Sequence, residues 1–131
     1  MFRLLRLTVV FTLLFPFAVA GQEKAIPAED GIQVPDGFEV KLFADNELAH
    51  DIYSMTLDTE GRVVVSSRGY VRTLIDDDGD GRADRFTTFA EGPASGAQGL
   101  CFDGHDLLCV AGGGLLRYRD QDRDGRADGQ A

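Results

Sequence analysis

Nine of the 22 acidic residues of this chain fall in two short stretches that repeat one pattern. Asp76-x-Asp78-x-Asp80-Gly81-x-x-Asp84 recurs as Asp120-x-Asp122-x-Asp124-Gly125-x-x-Asp128, 44 residues further on. Carboxylates at alternate positions of a tight loop converge on one centre, where they repel one another unless a cation intervenes. Ca²⁺ resolves that conflict, because it takes about 6–8 oxygen ligands at about 2.3–2.6 Å and tolerates irregular geometry. The Gly at position six allows the sharp turn, and the carbonyl of position seven offers a further oxygen. The expected Ca²⁺ ligands are therefore Asp76, Asp78, Asp80, Arg82 and Asp84 in one loop. Asp120, Asp122, Asp124, Arg126 and Asp128 are their counterparts in the other. A solvated acidic turn without metal is the competing reading. It weighs more on the second loop, which carries Arg123 where the first has Gly79.

Neither stretch is an ordinary EF-hand. That motif places a bidentate Glu at position twelve, where this chain has Thr87 and Ala131. Its loop also lies between helices, whereas Val71–Ile75 and Arg85–Phe89 are β-branched and aromatic runs that read as strands.

Other residues with chemical potential carry weaker signals. Cys101 and Cys109 fall in adjacent strands of one expected hairpin, where the residue opposite position 101 is nearer 108. Two buried thiols are favoured over a disulfide, although export would permit one. A spacing of eight is not a Cys-x-x-Cys-His haem attachment site. His50 beside Asp51 could form a base with its orienting carboxylate, yet no nucleophile can be named for it. His105 reads as an exposed turn residue. Gly112-Gly113-Gly114 lacks the Lys-Ser/Thr of a phosphate-binding loop and reads as a turn. Arg68 and Tyr70 flank a strand-to-strand turn, where a solvated Arg and a packed Tyr are expected.

The elements that must position these residues follow from periodicity. Met1–Ala20 has the pattern of a secretory signal peptide: Arg3 and Arg6, an apolar run from Leu7 to Phe17, then Ala18-Val19-Ala20. Residues 21–33 read as a flexible lead-in, and the structured part is expected over 34–131. Val34-Pro35-Asp36-Gly37 signals a turn. Phe38–Phe43 alternates apolar and polar residues as a half-buried strand does. Further strands are expected at Ile52–Leu57, Arg62–Ser66, Tyr70–Ile75 and Arg85–Phe89. The order then repeats with Gly99–Phe102, Leu107–Val110 and Leu115–Tyr118, and Arg62–Asp84 matches Asp106–Asp128 without a gap. A repeat of about 40–50 residues built of four short strands is the signature of β-propeller blades. The fold class expected is all-β: about two four-stranded blades of an incomplete propeller. A propeller closes with about 4–8 blades, so the chain is expected to be the N-terminal part of a longer protein. Alone, it is expected to self-associate through apolar faces and strand edges.

Composition narrows the function classes. The 131 residues carry 13 Lys and Arg against 22 acids, a net charge of −9. No basic patch is available to neutralise phosphates, so nucleic acid and anionic membrane are not expected partners. The apolar run of the leader is too short for a membrane span of about 20 residues, and none is expected in the mature chain. Periplasmic or extracellular localisation follows from the leader.

From Pro35-Asp36-Gly37-Phe38-Glu39-Val40-Lys41-Leu42-Phe43-Ala44 to its end, the chain resembles the N-terminal part of the membrane-bound dehydrogenases abundant in planctomycetes. Those are distant relatives of the soluble quinoprotein glucose and sorbosone dehydrogenases. The resemblance rests on that opening stretch, Met55-x-Leu57-Asp58-x-x-Gly61-Arg62, the Asp76 loop followed by Arg85-Phe86, Gln98-Gly99-Leu100, and Leu116-Arg117-Tyr118-Arg119-Asp120. It implies a six-bladed propeller that oxidises a sugar or alcohol, with a quinone or haem and a cytochrome domain present only in a longer relative. No catalytic or cofactor-binding residue carries over to this segment. A non-enzymatic calcium-binding module for adhesion or scaffolding is the alternative.

Overall fold

The computed structural model describes residues 31–131, so the expected leader at 1–20 and residues 21–30 lie outside the described residues. The chain divides after Glu39. Before that point, the turn expected at Val34–Gly37 is present: Phe38 donates its N–H to the Pro35 carbonyl at 3.1 Å, and Gly37 takes φ 89°.

From Val40 onward the structure is all-β, with no helix among the described residues. Sheet 1 is an antiparallel meander of β1 (Ser54–Leu57), β2 (Val63–Ser67), β3 (Tyr70–Ile75) and β4 (Arg85–Ala90). Sheet 2 repeats it with β5 (Leu100–Asp103), β6 (Asp106–Ala111) and β7 (Gly114–Tyr118). Short turns close the hairpins, and Gly61, Gly69 and Gly104 take the left-handed backbone those turns require. Period-two alternation sends successive side chains to opposite faces, so each sheet has a front and a back.

The front of sheet 1 packs on the back of sheet 2. Val64, Val71, Phe89 and Ala90 from the first share one core with Ala97, Leu107, Cys109 and Tyr118 on the second side. Phe89 meets Phe102 edge to face with ring centroids 5.6 Å apart. Ser66 Oγ donates to the Ala97 carbonyl at 3.0 Å, which satisfies a hydroxyl buried in that interface. Fully burying a side chain such as Leu107 or Val64 contributes about 1.5–3 kcal/mol relative to exposure. A smaller cluster on the back of sheet 1 joins Val65, Tyr70 and Leu74 to Ala49, with Phe43, Ala44 and Leu48 beside them.

Two expectations are corrected. Phe38–Phe43 forms no strand. Apolar alternation marks a strand only where a neighbour supplies the ladder, and none of the described strands runs alongside it. Its last residues cap the back of sheet 1 instead, and the Phe43 carbonyl receives the Ala83 N–H at 2.7 Å. The second sheet has three strands rather than four. The remaining strands fall within two residues of their expected ends.

Candidate metal centres

Each acidic stretch leaves the end of a third strand, and the same two backbone links hold it. Asp84 donates its N–H to the Ile75 carbonyl and Asp128 to the Arg119 carbonyl, both at 2.8 Å, closing the loops. Ala83 is bound to Phe43 and Ala127 to Phe89, both at 2.7 Å, which ties each loop to the chain beside it. Within the first loop, Asp76 accepts the N–H groups of Gly79 at 2.7 Å and Gly81 at 2.9 Å. In the second, Asp120 accepts those of Asp124 at 3.2 Å and Gly125 at 3.1 Å. Aiming N–H groups at a carboxylate favours its ionised form. The Gly81 N–H foremost, with those of Gly79, Asp80 and Asp78, holds Asp76 below the ordinary carboxylate value against a smaller opposing effect of burial.

The carboxylates gather in threes. Asp76, Asp78 and Asp84 each bring an oxygen within 4.8 Å of the others, and so do Asp120, Asp122 and Asp124. Each group is able to hold a metal ion. Asp80 lies outside the first group, with Oδ1 on the Arg82 N–H at 2.8 Å. Asp128 lies outside the second, with Oδ2 on the Gln121 N–H at 2.6 Å. The N–H of Arg126 is bound to Asp124 Oδ1 at 2.8 Å, as that of Arg82 is to Asp80.

Burial distinguishes the two sites. Asp120 is only 4% exposed, while the other members of its group stand in solvent. Removing a carboxylate from water costs several kcal/mol unless a cation or a full set of hydrogen bonds compensates. Each Asp120 carboxylate oxygen accepts a backbone N–H, and no buried side-chain polar atom among the described residues lacks a partner, so the loop itself compensates that burial while the three carboxylates remain able to hold a metal ion. Arg123 occupies the position of Gly79 and adopts the same left-handed backbone, φ 62° against 77°. The second loop thus keeps the turn at a cost of about 1–2 kcal/mol.

Several side-chain links around the loops and sheets escaped the sequence reading. Arg85 clamps the non-ligand Asp77 through two bonds of 2.8 and 2.9 Å. Arg117 bonds Asp106 at 2.7 Å and Asp103 at 3.1 Å. Asp106 in turn accepts the Asp120 N–H at 3.1 Å. The Arg72 guanidinium lies over the rings of Tyr70 and Phe86, at 4.2 and 3.8 Å. Regular charge alternation would have flagged none of these, because each pair meets across a turn or a sheet face.

The remaining expectations divide. His50 Nδ1 stands 3.9 Å from Asp51 Oδ2, too far for a hydrogen bond, and its ring lies edge-on to Tyr70. The base and its orienting carboxylate are therefore not assembled. His105 is half-buried rather than exposed, at a cleft shared with Glu60, Asp120 and Arg123. Tyr70 is packed and donates to the His50 carbonyl at 2.6 Å, while Arg68 is exposed. Both cysteines are free. Cys101 is exposed, which corrects the expectation of two buried thiols, and it pairs in register with Leu108. Only Cys109 is buried, and burial pushes its thiol pKa up.

A family model described as Domain of unknown function (DUF7133) matches residues 25–131. The chain belongs to the DUF7133 family. Among the described residues, the DUF7133 match takes in both sheets and both acidic loops. No curated protein and no solved structure matches the chain.

Proposed function

We propose that this chain is an exported, calcium-stabilised pair of β-propeller blades. The observation that carries the reading is the recurrence of one carboxylate-lined loop, 44 residues apart, at the same place in two stacked meander sheets. Ca²⁺ suits these loops better than Mg²⁺, which demands near-ideal octahedral geometry and dehydrates reluctantly. The metal is structural: it neutralises converging carboxylates and pins the end of each third strand. The leader pattern at 1–20 supports export, and the front-to-back stacking of the two sheets supports the blade reading.

Calorimetric titration of residues 21–131 with Ca²⁺ tests the metal. Two sites are expected, with Asp76→Asn removing one and Asp120→Asn the other. No binding heat in the wild type overturns the reading.

The resemblance of the opening stretch and both loops to dehydrogenase propellers supports a sugar- or alcohol-oxidising role for a longer protein carrying these blades. Reading the coding DNA beyond Ala131 tests this part. Further repeats of similar length and a Cys-x-x-Cys-His motif support it, and a stop codon contradicts it.

A further inference from the structure

An Asp–Gly dipeptide carries a reaction of its own, because glycine has no Cβ to shield its backbone nitrogen from the side chain before it. That nitrogen bonds to the aspartyl carboxyl carbon, the C–O bond of the protonated carboxyl breaks, and the oxygen leaves as water. The five-membered imide then takes up water at either carbonyl. Opening at the former backbone carbonyl routes the chain through the side chain, giving isoaspartate with no net change in mass. The step needs a nitrogen free of other acceptors and a carboxyl group free to swing onto it. Among the described residues, the dipeptide begins at Asp78, Asp80, Asp124 and Asp128 in the acidic loops, and at Asp36 and Asp103 in two turns.

The loops immobilise the reacting groups. The Gly79 and Gly81 N–H groups are donated to Asp76 at 2.7 and 2.9 Å, and the Gly125 N–H to Asp120 at 3.1 Å. The carboxylates open to attack are engaged too. Asp78 accepts the N–H of Asp80 at 3.1 Å, while Asp80 and Asp124 accept those of Arg82 and Arg126, both at 2.8 Å. Asp128 accepts the Gln121 N–H at 2.6 Å. The first carboxylate of each loop thus occupies the nitrogens through which that loop would cyclise.

The β5–β6 turn has no such protection. Gly104 and His105 join the paired residues Asp103 and Asp106. Gly104 takes φ 62°, and a Cβ added there would meet nothing within 4 Å. Among the described residues, no carboxylate or carbonyl accepts the Gly104 N–H. The Asp103 side chain is 62% exposed, and its bond to Arg117 at 3.1 Å is longer than the 2.7 Å bond from Arg117 to Asp106. An exposed pair of this kind holds its carboxylate weakly. We propose that Asp103-Gly104 is a site of spontaneous aspartate isomerisation, and that Asp76 and Asp120 protect their own loops from the same reaction. The product adds a methylene group to the backbone of a two-residue turn, which draws the carboxylate off Arg117 and leaves that guanidinium to Asp106. The inference rests on neither the metal nor the blade reading.

Ageing the full chain in warm neutral buffer tests it, with chelator and separately with Ca²⁺, followed by peptide mapping that separates isoaspartate from aspartate. Asp36-Gly37 is the internal reference, since it lies in an exposed turn where Gly37 has φ 89° and open space around it. Isoaspartate should accumulate at Asp103 at a rate comparable to Asp36, and several-fold faster than at Asp78, Asp80 or Asp124, in both buffers. Asp103→Asn should react faster through the same imide, losing ammonia in place of water. Asp103→Glu, whose ring would be one atom larger, should not react. An Asp103 peptide that stays unmodified overturns the proposal. Loop peptides that react as fast as the Asp103 peptide in chelator overturn the protection by Asp76 and Asp120, whether or not Ca²⁺ then slows them.

Discussion

Asp106 holds the Arg117 guanidinium at 2.7 Å through one carboxylate oxygen, and the other oxygen receives the N–H of Asp120 at 3.1 Å. An ion pair on β6 and β7 thereby anchors Asp120, the first carboxylate of the second acidic loop. The Arg117 hydrogen bond foremost, then the Asp120 N–H, holds Asp106 below the usual carboxylate value.

A depressed folded pKa has a definite sign in stability. The contribution is fully present above the unfolded carboxyl value of about 3.9 and is lost as pH falls through the folded value. In metal-free buffer, Asp106→Asn should therefore flatten the fall of stability between about pH 5 and pH 2. Urea midpoints across that range are the check, and parallel curves for variant and wild type would contradict the assignment.

Gly96 sits where no side chain fits. Its φ is +77°, and a Cβ added there would stand 2.5 Å from the Tyr53 ring. Gly96 also donates its N–H to the Pro93 carbonyl at 2.9 Å, shaping the connection between the sheets. Gly96→Ala should cost about 1–3 kcal/mol through overpacking and backbone strain. Equilibrium urea unfolding measures this directly.

Arg72 joins the segment before β1 to sheet 1. Its guanidinium covers two aromatic rings, and Nη1 donates to the Leu48 carbonyl at 2.8 Å. Loss of the stacking and of the charge-assisted bond in Arg72→Ala should cost about 2 kcal/mol or more. Amide exchange in residues 43–49 should rise more than in β6. Lysine at this position cannot reproduce a planar stacked cation, so Arg72→Lys should recover only part of the loss.

The strands were legible because short β-branched and apolar runs between glycine turns over Arg62–Ile75 return in the same order over Asp106–Tyr118. The acidic loops were legible as carboxylate clusters, but spacing did not fix their members: Asp76, Asp78 and Asp84 gather in one loop, and Asp120, Asp122 and Asp124 in the other. Phe38–Phe43 misled because an alternating pattern states that a face is apolar, not that a strand lies beside it. Cys101 misled similarly: it alternates correctly, but it faces outward on a sheet whose front is open. Asp106, Arg117 and Arg72 escaped notice because their partners lie across sheet registers that composition does not reveal.

The central claim is that the two loops bind calcium and that this binding stabilises the fold. One site at a hundred times its dissociation constant adds about 2.7 kcal/mol, and two add roughly twice that. For a domain of this size, the melting temperature should rise on the order of 10 °C or more. Melting residues 21–131 with chelator, with saturating Ca²⁺ and with equal Mg²⁺ is the most direct measurement. The account predicts a clear rise with Ca²⁺, a smaller one with Mg²⁺, and loss of much of the Ca²⁺ gain in Asp120→Asn. Superimposable curves with and without Ca²⁺ would contradict it.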